Sequence, residues 1–453
     1  MFSRLSTLHW NRKYAFRSYI TGAMWPVPLL AVLVYQLFHT AIYALNGWLV
    51  RIGVLDEQTA FFALSSAGAR SLLETAVSAN LSFLVFTFGS LLVAIQVAGG
   101  QYTPRIIATI LLRDNMIRFT VGWFVFSLGF ALRVLTRMDE TVPQLDTFVA
   151  AILGMTSIMV FLFLIDYAAR LLRPVSLAAR VGQMGLDVIE NVYPQVTSRP
   201  RPATPSRDLG SPARTVTHAG AAGVVLAADA AGLVAQARRA NGAIEFVPLV
   251  GDFVAFEDPL FNLYGGASAI DDGRLRGAVA LGSERTMEQD PTFAFRILVD
   301  IAIKALSAAI NDPTTAVLAI DQLHRLLRLV GLRNLRGEEL RDDTGQPRLV
   351  FRTPNWEDYV HLSCTEIRHC GASSIQVMRR LRAMLDNLMQ TLPPHRHAEL
   401  RLQLDLLDRT VEGSYKFAED RVLARIGDSQ GLGGALGVQP LDEAPPSVVA
   451  NCE

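Results

Sequence analysis

The chain is poor in the features that most soluble enzymes and scaffolds use. It has three cysteines in 453 residues. That excludes a disulfide-stapled fold, and the odd number suits a reducing compartment. Only three lysines are present, Lys13, Lys304 and Lys416. Charged residues make up 19% of the chain, against 51% hydrophobic ones, where a soluble chain carries about 25% charged residues. A disordered or collagen-like protein is thereby excluded. The sequence has no G-x-x-x-x-G-K-[ST] loop and no G-x-S-x-G elbow, so neither a P-loop nor a hydrolase nucleophile turn is legible. Gly431-Leu432-Gly433-Gly434 follows no strand pattern and reads as flexible linker.

What is present in excess is apolar length. Residues 20–50, 76–104 and 147–165 contain no Asp, Glu, Lys or Arg, and residues 115–135 contain only Arg118 and Arg133. A hydrocarbon core of about 30 Å takes about 20 apolar residues in a helix, so four transmembrane helices are expected. Arg118 and Arg133 sit near the ends of the third, where a long side chain reaches the interface. Trp25 and Trp48 are separated by roughly 35 Å of helix, about one aromatic belt to the other. Pro26 and Pro28 suit a helix start. The first apolar run is too long for a cleavable signal peptide.

Charge is unevenly placed. Residues 1–180 hold 14 Lys+Arg and 8 Asp+Glu, within a chain whose net charge is zero. Arg4, Arg12, Lys13 and Arg17 precede the first span; Arg105, Arg113 and Arg118 lie between the second and third; Arg170, Arg173 and Arg180 follow the fourth. The other two loops carry Arg51, Arg70, Arg133 and Arg137 alongside Asp56, Glu57, Asp139 and Glu140. This asymmetry predicts an inner-membrane, multi-pass protein with both termini cytoplasmic.

The second span carries a small-and-polar stripe. Ser78, Ser82, Gly89, Gln96, Gly100 and Thr103 fall on one side of the helix at 100° per residue. Such a stripe is either a packing face, where small residues let helices approach and Gln bonds across, or the lining of a water-filled path. Four helices do not enclose a wide path alone, so conduction would require a homo-oligomer.

Beyond the membrane the expected layout is as follows. Residues 1–19 form a cytoplasmic flank and 20–168 the four-helix domain. Residues 169–213 hold an amphipathic exit helix and a Pro-rich linker. Residues 214–284 form a small β domain, 285–427 a helical cytosolic domain, and 428–453 a disordered tail. The fold class is thus membrane α-helical plus a cytosolic α+β region, with a small β-barrel-like segment and helical hairpins. The β signal is short runs such as Gly223-Val224-Val225-Leu226, Ala243-Ile244-Glu245-Phe246-Val247 and Asp252-Phe253-Val254-Ala255-Phe256. The last of these, with Pro259-Leu260, resembles biotinyl and lipoyl carriers, but no lysine lies in the segment to accept a prosthetic group. Asp290-Pro291 and Asp312-Pro313 each read as N-cap followed by N1 proline, and the two helices they open make an αα-hairpin. Arg296, Asp300 and Lys304 read as a solvated i, i+4, i+8 ladder. Leu349-Val350-Phe351 reads as an edge strand. Residues 359–390 read as a helix broken near Gly371, and 399–426 as one helix.

Residues 91–105 (LLVAIQVAGGQYTPR), 290–306 (DPTFAFRILVDIAIKAL) and 309–323 (AINDPTTAVLAIDQL) resemble a family of predicted bacterial membrane proteins, domain of unknown function 2254. The resemblance spans most of residues 10–425. Its most specific part is Asn311-Asp312-Pro313-Thr314-Thr315. It implies the layout above and no particular activity.

His361, Cys364, His369 and Cys370 are the one group of zinc-type ligands. Their spacing is poor for a shared site, because adjacent His369 and Cys370 point about 100° apart on a helix. No metal, no cofactor and no catalytic constellation is assigned. Nucleic-acid binding is disfavoured by the acidic balance of the cytosolic half. The expected partners are the lipid bilayer, further copies of the chain, and a cytosolic protein or small ligand. The expected function is an oligomeric channel- or transporter-like assembly with a cytosolic regulatory domain. The alternative is a non-conducting, membrane-anchored sensor or scaffold.

Overall fold

In a computed structural model, residues 10–52, 65–101, 114–138, 144–171, 173–196, 209–335 and 339–434 are described. The chain divides into two units. One is Arg12–Leu177, and the other joins Met1–Asn11 to Ala178–Glu453.

The first unit contains α1 (Trp10–Gly22, which begins just before it), α2 (Pro26–Arg51), α3 (Ser66–Gln101), α4 (Asn115–Leu135) and α5 (Gln144–Leu171). Four of these, α2 to α5, are long and apolar enough to cross a membrane. The charge-free run 20–50 is broken at Ala23-Met24-Trp25, and α2 starts at Pro26. The least apolar span, α4, is the central one. More of it is buried inside the unit than of α2, α3 or α5. Two glycines explain how α2 reaches it. A Cβ on Gly122 would stand 2.9 Å from Val27, and one on Gly129 would stand 2.6 Å from the Tyr35 ring. Aromatic packing fills the rest, with Phe83 stacked on Phe161 at 4.3 Å and tilted on Phe124 at 5.6 Å.

Arg118 does not snorkel as the sequence suggested. It is buried, and its guanidinium donates to the carbonyls of Thr21 (3.2 Å) and Ile20 (3.1 Å) at the end of α1. These are carbonyls a helix end leaves unpaired, so the cation is satisfied inside the unit. Asp166 and Arg170, four residues apart, pair on an exposed face.

The second unit is α+β. It contains most of α6 (Pro174–Val192), then β1 (Arg214–Thr217), β2 (Gly223–Ala228), α7 (Ala230–Arg239), β3 (Gly242–Phe246), β4 (Phe253–Val254), β5 (Pro259–Gly265), α8 (Asp272–Arg276) and β6 (Val279–Gly282). There follow α9 (Pro291–Ala305), α10 (Pro313–Gly331), β7 (Glu339–Arg341), β8 (Pro347–Phe351), α11 (Trp356–Cys370), α12 (Ile375–Thr391), α13 (His397–Ser414) and α14 (Ala418–Ala424).

The strands make two open sheets, ordered β1-β5-β3-β8-β7 and β4-β2-β6, with no closed barrel among the described residues. This corrects the barrel-like expectation. Leu349-Val350-Phe351 is likewise not at an edge: β8 lies between β3, to which it is parallel, and β7. That pairing takes β8 from beyond residue 285 into the sheet of the 214–284 segment, so the expected boundary does not separate β from helical structure. Leu233, Ala237, Ile244, Phe261 and Leu349 form the shared core.

The helices pack in a second layer, in which α9 packs on α10 and α11, and α12 on α10 and α13. The exit helix docks here. Gly185 of α6 would place a Cβ 2.9 Å from Ala294 of α9. Residues 399–426 are not one helix, because α13 ends at Ser414 and α14 begins at Ala418. The Arg296 ladder is not merely solvated: Arg296 pairs with Asp300 and also reaches Glu366 of α11.

The start of the expected tail is packed. Arg379 is fully buried and donates to the carbonyls of Ile426 (3.0 Å) and Gly433 (3.3 Å). Asp428 accepts from the N–H groups of Gln430 (3.0 Å), Gly431 (2.9 Å) and Gly433 (2.6 Å). The two glycines there have φ of +73° and +75°, which only glycine adopts freely. The expected flexible linker is therefore a folded turn that seats a carboxylate.

Candidate functional site

The α3 stripe is on the outside of its unit. Ser78, Ser82, Gly89, Gln96 and Gly100 are all exposed, and Thr103 lies outside the described residues. A Cβ on Gly89 or Gly100 would meet nothing within 4 Å. The opposite side of α3, with Leu73, Asn80, Thr87, Leu91 and Ala94, is the buried one. Ser78, Ser82, Gly89, Gln96 and Gly100 therefore do not pack α3 against the other described helices of its unit. Arg105 and Arg113, which the sequence placed between the second and third spans, lie outside the described residues, as do Asp56, Glu57, Asp139 and Glu140.

Sequence reasoning missed a second set of polar groups, inside the unit. At the end of α4, Arg137 Nη1 lies 3.2 Å from His39 Nε2 on α2. The other ring nitrogen lies 3.7 Å from Asp146 on α5. Roughly 12 Å back along α4 from its end, at 1.5 Å per residue, Asn80 donates to Ser127 at 3.3 Å. Roughly 6 Å further, Trp123 donates to Ser157 at 3.2 Å. At the other end Tyr167 donates to Asp114 at 2.6 Å, and Asp114 also caps α4 through the Ile117 N–H. Between α3, α4 and α5 lies a cavity of about 130 Å³, lined by Thr87, Ser90, Leu91, Ile117, Leu164 and Ala168 among others. The sequence did hold a signal. His39 is the one histidine in the run 20–50, and Asp146 stands one residue before an uninterrupted apolar run. An isolated ionisable side chain in such a run marks a buried partner.

The zinc-type residues do not gather. Among the described residues no three His, Cys, Asp or Glu side chains are placed to hold a metal. Cys364 is buried, and burial pushes its thiol up to about 12. A thiolate ligand is disfavoured there. Cys370 and His369 are exposed, and His361 turns to Glu399 at 3.3 Å.

The Asn311–Thr315 motif builds a turn. Asn311 has φ +49°, Asp312 N–H donates to the Ala305 carbonyl (2.8 Å), and the Asp312 carboxylate accepts from the Thr315 N–H (3.1 Å). Thr315 Oγ1 donates to the other carboxylate oxygen. Proline fills N1 with no N–H to lose. These contacts close the α9–α10 hairpin and account for Asp312, Pro313 and Thr315; Thr314 is exposed. Asp290 repeats the device one helix earlier, accepting from Thr292 and the Phe293 N–H. It is buried with Arg285 at 3.0 Å. Burial raises its carboxyl above the ordinary range, and Arg285 opposes that.

Residues 21–387 match a family described as predicted membrane protein (DUF2254). The chain is 25% identical over 442 residues to an uncharacterized protein of Mycobacterium bovis, covering 93% of this chain and 82% of that one. It has the same identity and coverage with an uncharacterized protein of Mycobacterium tuberculosis. No solved structure matches.

Proposed function

This chain belongs to the DUF2254 family of predicted membrane proteins, and on that footing we propose that it works as an oligomeric channel- or transporter-like assembly of the inner membrane, its α+β unit being a cytosolic regulatory part. The observation that carries this reading is the exposed stripe on α3. Within one chain side chains such as Phe83, Phe124 and Phe161 fill the space between helices, and no wide interior path runs between them among the described residues. A Gln side chain facing hydrocarbon lacks partners, whereas Gln96 facing another copy or water has them. Small residues at Gly89 and Gly100 let two such helices approach closely. Copies joined around α3 would put Ser78, Ser82 and Gln96 on a common lining. The Lys and Arg distribution supports cytoplasmic termini. No catalytic step is assigned.

The test is ion and solute flux into liposomes carrying the purified full chain, together with its oligomeric state in lipid. Flux from an oligomer, reduced several-fold by Gln96→Leu, is the expected result. A monomer in lipid, or no flux for any small ion, would overturn it. A second reading, a non-conducting sensor or scaffold, draws on Phe253 and Phe256, which are 67% and 63% exposed. It is favoured if flux is absent and Phe253→Ser with Phe256→Ser abolishes capture of a cytosolic partner.

A further inference from the structure

Three helices of the membrane-spanning unit converge on His39. The ring is 4% exposed and Asp146 is 3% exposed. Arg137 Nη1 stands 3.2 Å from His39 Nε2. A guanidinium has only donors, so Nε2 accepts and the ring proton is on Nδ1. That Nδ1–H faces Asp146 Oδ1 at 3.7 Å, within ion-pair reach and beyond a hydrogen bond. His39 Nδ1, Asp146 Oδ1, Thr147 Oγ1 and Arg133 Nε are all buried with no hydrogen-bond partner among the described residues. Buried polar groups are ordinarily satisfied. His39 Nδ1 and Asp146 Oδ1 thus face each other, each short of a hydrogen bond among the described residues in this arrangement.

We propose that His39 is a proton-binding site, and that its occupancy switches this end of the helical unit between two arrangements. In the neutral arrangement Nε2 accepts from Arg137. When hydronium delivers a proton to Nε2, an N–H bond forms there, water is released and the Arg137 hydrogen bond is lost, because both atoms are then donors. The imidazolium closes on Asp146 and gives Oδ1 a hydrogen bond. Arg137 leaves without opening a cavity: it is exposed, and its guanidinium already lies 6.0 Å from the Tyr43 ring, a cation–π seat.

The charged and titratable groups around the ring are Arg133 within α4 and Arg137 after it, Asp146 on α5 and Tyr43 on α2. At this level α3 contributes Ala69 and Leu73 to the core, while its Arg70 and Glu74 are exposed. Asp139 and Glu140, between α4 and α5, lie outside the described residues. The site does not depend on the α3 stripe, so it stands or falls apart from conduction.

The experiment is histidine-labelled NMR of the full chain in lipid nanodiscs, with the His39 ring signals identified by their loss in His39→Gln. One change of ring state is expected across the pH range in which the chain stays folded. Arg137→Gln and Asp146→Asn should move its midpoint by about one pH unit or more in opposite directions, since one removes a cation and the other an anion. If His39→Gln fails to fold, the His39 signals are identified instead as those that remain when the other seven histidines are replaced. A ring that keeps one state across that range, or a midpoint unmoved by both variants, overturns the proposal.

Discussion

In the four-helix unit Leu37, Val85, Leu92 and Met159 are exposed, while His39, Asn80, Ser127 and Asp146 are buried. In the α+β unit Phe295, Ile297, Leu326 and Val360 are buried, and ion pairs such as Arg238–Asp343 and Arg409–Asp405 lie exposed. The difference teaches that the surrounding medium, not residue type, decides what goes inside. Lipid solvates leucine as well as a core does, so apolar side chains gain nothing by turning inward, and packing of small residues and polar contacts must hold the helices together. Water rewards apolar burial instead.

The largest test of this contrast is in the α+β unit. Arg379→Met leaves the carbonyls of Ile426 and Gly433 without their donor. It is expected to lower stability by about 3 kcal/mol, read by denaturant unfolding of the full chain in detergent, with limited proteolysis cutting near residue 430 first. Unchanged stability would mean that this cation is not what holds the terminal turn.

Next is the helical unit, where small residues rather than apolar bulk carry the packing. Gly129→Leu drives a side chain into Tyr35, with an expected loss of about 1–3 kcal/mol in thermal unfolding. Gly89→Leu, on the exposed stripe, should change stability of a single chain by less than about 0.5 kcal/mol. Equal losses would erase the distinction between the two faces of the bundle.

A more local effect concerns Asp428. Burial alone would raise its carboxyl, but the N–H groups of Gly433, Gly431 and Gln430, with Arg379 nearby, outweigh it and hold it below the ordinary value of 3.8. A lowered carboxyl stabilises the fold fully above the unfolded value and ceases to do so as pH falls through the folded one. Asp428→Asn is therefore expected to cost about 1 kcal/mol near neutrality. The difference from the parent should vanish in strong acid, measured by unfolding at a series of pH values.

Much of the layout was readable from local pattern. Asp290-Pro291 and Asp312-Pro313 announced their helices because capping involves only neighbours in the chain. The break near Gly371 was readable for the same reason. Illegible were contacts between distant residues. Nothing near Leu349 says that β3 will pair with it in parallel. Gly431-Leu432-Gly433-Gly434 read as linker because its partner, Arg379, is more than fifty residues away. His39 was passed over because its partners come from two other helices.

The sequence by itself determined that four helices are long and apolar enough to cross a bilayer, because length and apolarity are properties of each segment alone. It also determined which polar residues share a side of α3, because helical periodicity is fixed. Only the tertiary structure decided that this side faces outward and that His39, Arg137 and Asp146 meet within. Which face of a helix is buried depends on the neighbours it acquires, and no single segment encodes them.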